Sequence, residues 1–331
     1  MSEKSLIIPS FADELPLGMD LGEGRNPHGI ICAANETRFN AGNYSQPLTA
    51  LSVGWKDPED ILGILERLFP RVPVSKRFSF RKAENAEAFL SETDDQRPVG
   101  SPFKQVGYSG TEAEARTYNR GLTLRIDHDE TDDLEGEVVT SVGRLRQRLA
   151  RNSLRRGFIL LDSVDHAGGN KEFDADTNPD GHIRAMGKLS ADTTGIYPNV
   201  YAIGENAWHL RADAYEAPAR DNQGNRADWN AERLRQYLMA DIVEVVKARY
   251  QSSATAKGAI LSARIYAYLA MQGMSKDDPS AVKRFVSNGA SGEGFAVIRK
   301  DGTKWTDITM EHYENQVATG LGVESIDAVQ T

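Results

Sequence analysis

Residues Asn178–Leu210 read NPDGHIRAMGKLSADTTGIYPNVYAIGENAWHL. The stretch carries two partial chemical signatures, and their resolution decides whether the chain reads as an enzyme or as architecture. Gly181-His-Ile-Arg-Ala-Met-Gly187-Lys188 has the GxxxxGK spacing of a phosphate loop, which needs Ser or Thr next to reach magnesium. Leu189 stands there instead, Ser190 comes one place late, and the upstream residues Asp174–Asp180 are polar where a hydrophobic strand is required. Asp176, Asn178, Asp180, Gly181 and Ile183 match the early positions of a calcium loop, but Gly187 occupies the place of its bidentate carboxylate. A turn capped by Asp and Asn side chains accounts for the segment better than either site. Beyond it, Pro198–Gly204 reads as a turn and a short buried strand, and Ala207-Trp-His-Leu210 as the start of a helix.

Working outward, no other constellation carries chemistry. Gly289-Ala-Ser-Gly292-Glu-Gly294 lacks the third glycine of a dinucleotide loop and precedes a strand, so it reads as a flexible turn. The histidines, at 28, 128, 166, 182, 209 and 312, are scattered, with no HExxH and no cysteine partner for zinc. Asp162-Ser-Val-Asp165-His166 places triad residue types side by side without a nucleophile elbow. Arginines 144–156 surround a helix and interleave with apolar residues, which favours salt bridging to acidic neighbours over phosphate contact. The sequence therefore predicts no catalytic residue, no cofactor-binding residue and no metal ligand. The alternative from a different class is a soluble metal- or nucleotide-dependent enzyme using residues 174–190.

Composition narrows the class. A chain of 331 residues buries a substantial core. No apolar run is long enough for a membrane helix, and the acidic start, MSEKSLIIPSFADELPLG, does not resemble a signal peptide. The single cysteine, Cys32, excludes an intramolecular disulfide framework and fits synthesis in a reducing cytoplasm. A formal net charge of −9 argues against a broad nucleic-acid-gripping face, and suits a wall that contains DNA without adhering to it.

Periodicity supplies the elements. Residues 1–45 are rich in Gly, Asn, Pro and Ser and read as an extended arm. Ile61, Leu62, Leu65 and Leu68 predict a helix starting near Pro58, followed by extended Val72-Pro-Val74 and Phe78-Ser-Phe80. Residues 81–120 hold few apolar side chains and read as a long two-stranded flap whose partner surface lies on another molecule. Leu122–Ile126 is strand-like. Asp132–Leu161 is the clearest helix, with Leu134, Val138, Val142, Leu145 and Leu149 on one narrow stripe, acids at its start and arginines later, as its dipole favours. At about 1.5 Å per residue it spans roughly 40 Å, a spine against which other elements lean, with a bend or end expected at Gly157. Asp165–Asp180 reads as a polar linker. Asn230 caps a short helix carrying Leu234, Tyr237 and Leu238. Ile242–Tyr250 favours a strand, Ala259–Leu269 a strand or a buried helix, and Phe295–Arg299 and Ile308–Asn315 late strands. The class is α+β without a βαβ rhythm.

The order of these parts resembles the major capsid proteins of tailed bacteriophages with the Hong Kong 97-type capsid fold. The segments that carry it are Tyr44–Thr49, Pro70–Phe78, Arg97–Phe103 leading into Tyr118–Leu122, and Asn178-Pro-Asp-Gly-His-Ile183. They continue with Gly195-Ile-Tyr-Pro-Asn199-Val, Ile203-Gly204 with Ala207-Trp208, Ile308–Asn315 and Gly322–Ile326. The resemblance covers residues 40–331 and implies an N-terminal arm (1–45) and a peripheral domain (46–79 and 122–182) with its spine helix at 132–161. It further implies an extended E-loop (80–121), an axial domain (183–300) and C-terminal strands (301–331) returning to the peripheral domain. It implies a non-enzymatic virion protein, made in the bacterial host cytoplasm, that self-assembles through pentamers and hexamers into an icosahedral shell. That shell would enclose double-stranded DNA contacted non-specifically, with scaffold, portal and decoration proteins as partners and no membrane. Some relatives cross-link a flap lysine to an asparagine of a neighbour, for which Lys104 with Asn288 or Asn315 are the candidates. An encapsulin-type compartment shell is the alternative within the same fold.

Overall fold

A computed structural model describes residues 60–82, 96–97, 99, 101–102, 111–127, 137–217, 227–253, 255–271, 275–287, 296–301, 305–318 and 322–330. The arm, most of the flap with Lys104, the turn at 289–294, Asn288 and the helix start with Leu134 lie outside these residues. The elements in chain order are α1 (Ile61–Leu68), β1 (Arg71–Val74), β2 (Arg77–Arg81), β3 (Glu112–Arg116), β4 (Tyr118–Asp127), α2 (Glu137–Val164), β5 (His166–Glu172), α3 (Pro179–Thr194), β6 (Val200–Gly204), α4 (Glu205–Glu216), α5 (Ala231–Leu238) and β7 (Ile242–Val246). They continue with β8 (Arg249–Gln251), β9 (Lys257–Ala259), β10 (Arg264–Tyr268), β11 (Val282–Ser287), β12 (Ala296–Asp301), β13 (Trp305–Ala318) and β14 (Glu324–Val329).

Two five-stranded sheets organise the chain. In one, β13 pairs antiparallel with β4, β12 and β11, and β11 pairs parallel with β1. The other runs β5-β14-β10-β6-β7. The late strands are therefore divided: β13 belongs to the first sheet, whereas β14 lies inside the second, between β5 and β10.

The second sheet explains the VYAIG run. β6 is buried throughout, because both of its faces are covered. Val200 and Ala202 join Tyr266 and Tyr268 of β10 against Leu65, Phe69, Leu154 and Phe158 of the α1–α2 layer. Tyr201 and Ile203 join Ile265 and Ala267 against Ile183, Met186, Ala207 and Leu234 of the α3–α4–α5 layer. Strand alternation thus sorts one apolar run into two cores. At the end of β6 a Cβ on Gly204 would stand 2.0 Å from the Ser262 carbonyl oxygen, which leaves glycine as the residue that fits.

α2 differs from its sequence reading in three respects. Its stripe is wider than expected: Val142, Leu145 and Leu149 pack on Ile126, Ile308 and Met310, and further along Ala150, Leu154, Phe158 and Leu161 enter the core with α1. Gly157 does not end it; its missing side chain admits the Phe69 ring, whose nearest carbon would be 2.5 Å from a Cβ. The helix continues to Val164, so an acid, Asp162, stands in its last turn against the dipole, compensated by Arg264 at 2.7 Å.

The stretch from Asp165 to Asp180 is also a correction. It holds β5, a parallel edge strand, and the buried Phe173, not a polar linker. Asn178 then caps a helix of four turns where a turn was expected, its side chain accepting from the Gly181 amide at 3.2 Å with Pro179 in the first turn. The cap chemistry was read correctly; the helix behind it was not. Its buried stripe, Ile183, Met186, Gly187, Ser190 and Thr194, is largely small or polar and so mimics a loop.

Candidate functional site

The residues of the two partial signatures are consumed by this helix. Gly181 to Lys188 lies inside α3, where the Gly181 amide is committed to the Asn178 cap and those after it to helical bonds, and Gly187 packs on the Tyr201 hydroxyl. Asp180, the middle carboxylate of the calcium-like spacing, is fully buried and takes a two-pronged bond from the equally buried Arg211, at 2.6 Å from Nε and 3.2 Å from Nη2. The Tyr215 hydroxyl accepts from the Asp180 amide at 3.3 Å and donates to Asn178 Oδ1 at 3.0 Å. Asp174 accepts from the Asp176 amide at 3.2 Å, as in a local turn. The network pins α3 to α4. With Asp180 paired and Gly181–Lys188 helical, residues 174–190 form neither the phosphate loop nor the calcium loop that their spacing suggests.

Asp162, Asp165 and His166 do not form a triad either. Arg264 bridges Asp162 at 2.7 Å and Asp165 at 3.5 Å while making a two-pronged bond to Asp327, at 2.8 and 2.9 Å. The Tyr266 hydroxyl donates to Asp162, and Ser325 donates to Asp165. His166 is exposed, 3.8 Å from Glu324. This cluster ties the end of α2 to β10 and β14. Among the described residues no group of three His, Cys, Asp or Glu side chains is placed to hold a metal.

A second buried network fixes α2 to the first sheet. Glu314 of β13 accepts from the Ser153 hydroxyl at 2.7 Å and from Arg156 at 3.1 Å, with His312 at 3.3 Å and Arg284 of β11 at 3.9 Å. Burial alone would raise the Glu314 carboxyl, but the His312 bond and charge, with Arg284 and Ser153, hold it well below the usual carboxylate range. Burial pulls the Arg284 guanidinium down to about 10, against the attraction of Glu314.

The surfaces available to partners lie elsewhere. β2 and β3 form a two-stranded stem, closed at one end by the Thr117 amide on the Lys76 carbonyl (3.0 Å) and at the other by the Lys82 amide on the Thr111 carbonyl (3.0 Å). One face of the stem is seated by Phe78 and Phe80, whose rings lie 4.5 and 5.1 Å from that of Phe285. Arg81 donates its amide to Asp277 at 2.9 Å, and Lys276 reaches the Ser79 carbonyl at 2.7 Å. Along β3 and the first eight residues of β4 every strand residue is exposed or half-exposed. Asn315, a cross-link candidate, donates to the Arg116 carbonyl at 3.0 Å.

The arginine cluster divides. Arg156 enters the Glu314 network, while Arg148, Arg151 and Arg155 line one wall of a groove of about 540 Å³, with Arg249, Tyr250, Gln251 and Lys257 of the β8–β9 hairpin opposite. Sequence reasoning weighed the helix arginines and missed Arg249 and Lys257. Only the folding of the hairpin brings these remote residues alongside the helix.

No protein-family model and no curated protein matches the sequence. Solved structures of phage proteins do match. A phage-related protein from Bordetella bronchiseptica RB50 is similar with a TM-score of 0.64 at 15% identity, over 86% of this chain and 97% of that one. A chain of Mycobacterium phage Cain is similar at 0.51 and 14% identity, over 87% and 95%, and one of Mycobacterium phage Bobi at 0.51 and 9% identity, over 81% and 90%. With its two sheets, its long helix and its rooted two-stranded stem, the chain has the Hong Kong 97-type fold of tailed-phage capsid proteins.

Proposed function

We propose that the chain is a structural major capsid subunit of a tailed phage or prophage, self-assembling through pentamers and hexamers into an icosahedral shell around double-stranded DNA. The observation that carries the reading is the stem with β4: strands that pack one face on the body and leave the other exposed, in a fold shared with phage capsid proteins. Their outer faces gain burial by lying across another molecule. The region 80–121 is accordingly the E-loop and 1–45 the arm. Residues 46–79 and 122–182 form the peripheral domain, 183–300 the axial domain, and 301–331 the returning C-terminal segment, although β5, β11 and β14 pair across these boundaries. The chemistry of the described buried networks is structural: Asp180 with Arg211 joins α3 to α4, and Glu314 joins β13 to α2 and β11. The site of action is the virion, and scaffold, portal and decoration proteins are the further partners.

The test is size-exclusion chromatography of the expressed protein, then negative-stain microscopy of the largest fraction and nuclease digestion of its contents. Closed shells, or pentamers and hexamers that convert to them, are expected, with nuclease-protected DNA when packaging components are present. Shells that hold an enzyme and no DNA would assign a compartment instead. A monomer that stays monomeric across salt and pH, with or without a scaffold, would overturn the shell.

A further inference from the structure

The groove between α2 and the β8–β9 hairpin is cationic in a chain whose formal charge is −9. Arg148, Arg151 and Arg155 recur at helical spacing on one face of α2, a row of roughly 10 Å at about 1.5 Å per residue. Across the groove stand Arg249 and Lys257, on strands paired in the register Arg249 to Ala259 and Gln251 to Lys257. The walls are braced. Arg155 lies over the Tyr250 ring at 4.0 Å, and Glu205 holds Arg249 at 2.6 Å. Among the described residues Arg148, Arg155 and Lys257 form no ion pair with a carboxylate, in a protein with acids to spare.

Like charges gathered in one concavity repel, and the repulsion is relieved when an anion enters. From this geometry we infer that the groove is a phosphate cradle, in which the sugar–phosphate backbone of the enclosed duplex docks without base readout. The inference rests on the shell reading above and names the residues through which the subunit meets DNA. Guanidinium groups on both walls suit the tetrahedral, repeating phosphates of one strand, which bring a charge about every 3.4 Å along the axis.

The test is binding of a fluorescent 20-base-pair duplex by the full-length unassembled subunit across a salt series, comparing wild type with Arg148→Gln/Lys257→Gln. Both side chains are exposed, so melting temperature should hold. The double variant is expected to lower the salt slope by about two, at about 0.9 per lost phosphate contact, and to weaken binding about tenfold in low salt. An unchanged slope and affinity would overturn the cradle, and if that variant still builds normal shells the shell reading survives the loss. Displacement of the duplex by a polyglutamate of equal charge, as readily as by unlabelled duplex, would assign the groove to an acidic protein segment. If wild-type protein forms no shell under any condition, the enclosed duplex falls as the ligand together with the shell.

Discussion

The residues that looked most chemical are the ones the fold spends on cohesion. Asp180 and Arg211 are both completely buried, and the guanidinium is further framed by Trp208 and Tyr215 at 5.0 and 5.4 Å. A buried pair returns little net free energy over an apolar pair of the same volume, yet removal of one partner strands the other charge in a low-dielectric core. Asp180→Ala should therefore cost about 3–5 kcal/mol, and Asp180→Ala with Arg211→Met distinctly less than the sum of the single changes. A denaturant double-mutant cycle reads this; additive losses would show that the two side chains are not coupled. The sequence shows Asp180 only as a carboxylate in a calcium-like spacing. Its partner was invisible, because Arg211 lies a helix and a strand away and no spacing rule joins them.

At the level of elements, legibility followed the strength of the periodic signal. α1, α2 and α5, and the strand-to-helix turn at Gly204, were readable because Leu, Ile and Val recur at a clear period. α3 was hidden, since its inward face is built partly of Gly187, Ser190 and Thr194, and β5 was hidden because HAGGNKE contributes backbone pairing and almost no apolar side chain. The flap reading rests on poverty in core residues, and its stem is the part that lies among the described residues. Replacing residues 83–110 with a two-residue turn between Lys82 and Thr111 keeps the root and the Phe78–Phe80–Phe285 seat. The shortened subunit should unfold within about 1 kcal/mol of wild type yet form no shells, as read by urea melts and microscopy, since a segment with few apolar side chains adds little to a core. Normal shells from it would show that the segment is not an assembly element.

The molecule as a whole is joined by carboxylates whose ionised form the fold favours. Glu314 is held low by the balance described above, and Asp327 is lowered by the Arg264 hydrogen bond against the opposing effect of burial. A carboxyl depressed in the folded state contributes stability above its unfolded value, near 4.5 for glutamate, and loses it as pH falls toward the folded value. Glu324, raised by burial, acts in the opposite direction. The melting temperature should then be level near neutrality and decline below about pH 4.5, whereas Glu314→Gln should melt lower at pH 7 and decline less steeply. Parallel curves for the two proteins would remove Glu314 from the acid response. Pairing order also bears on biosynthesis. β4 waits for β13, with side chains meeting across 192 residues, and β5 waits for β14, which lies between it and the rest of its sheet. A nascent chain that has not yet delivered residues 324–329 from the ribosome has a gap in its second sheet, and so does any prematurely terminated product. Neither closes the second sheet, so completion of translation decides whether the body of the subunit is finished.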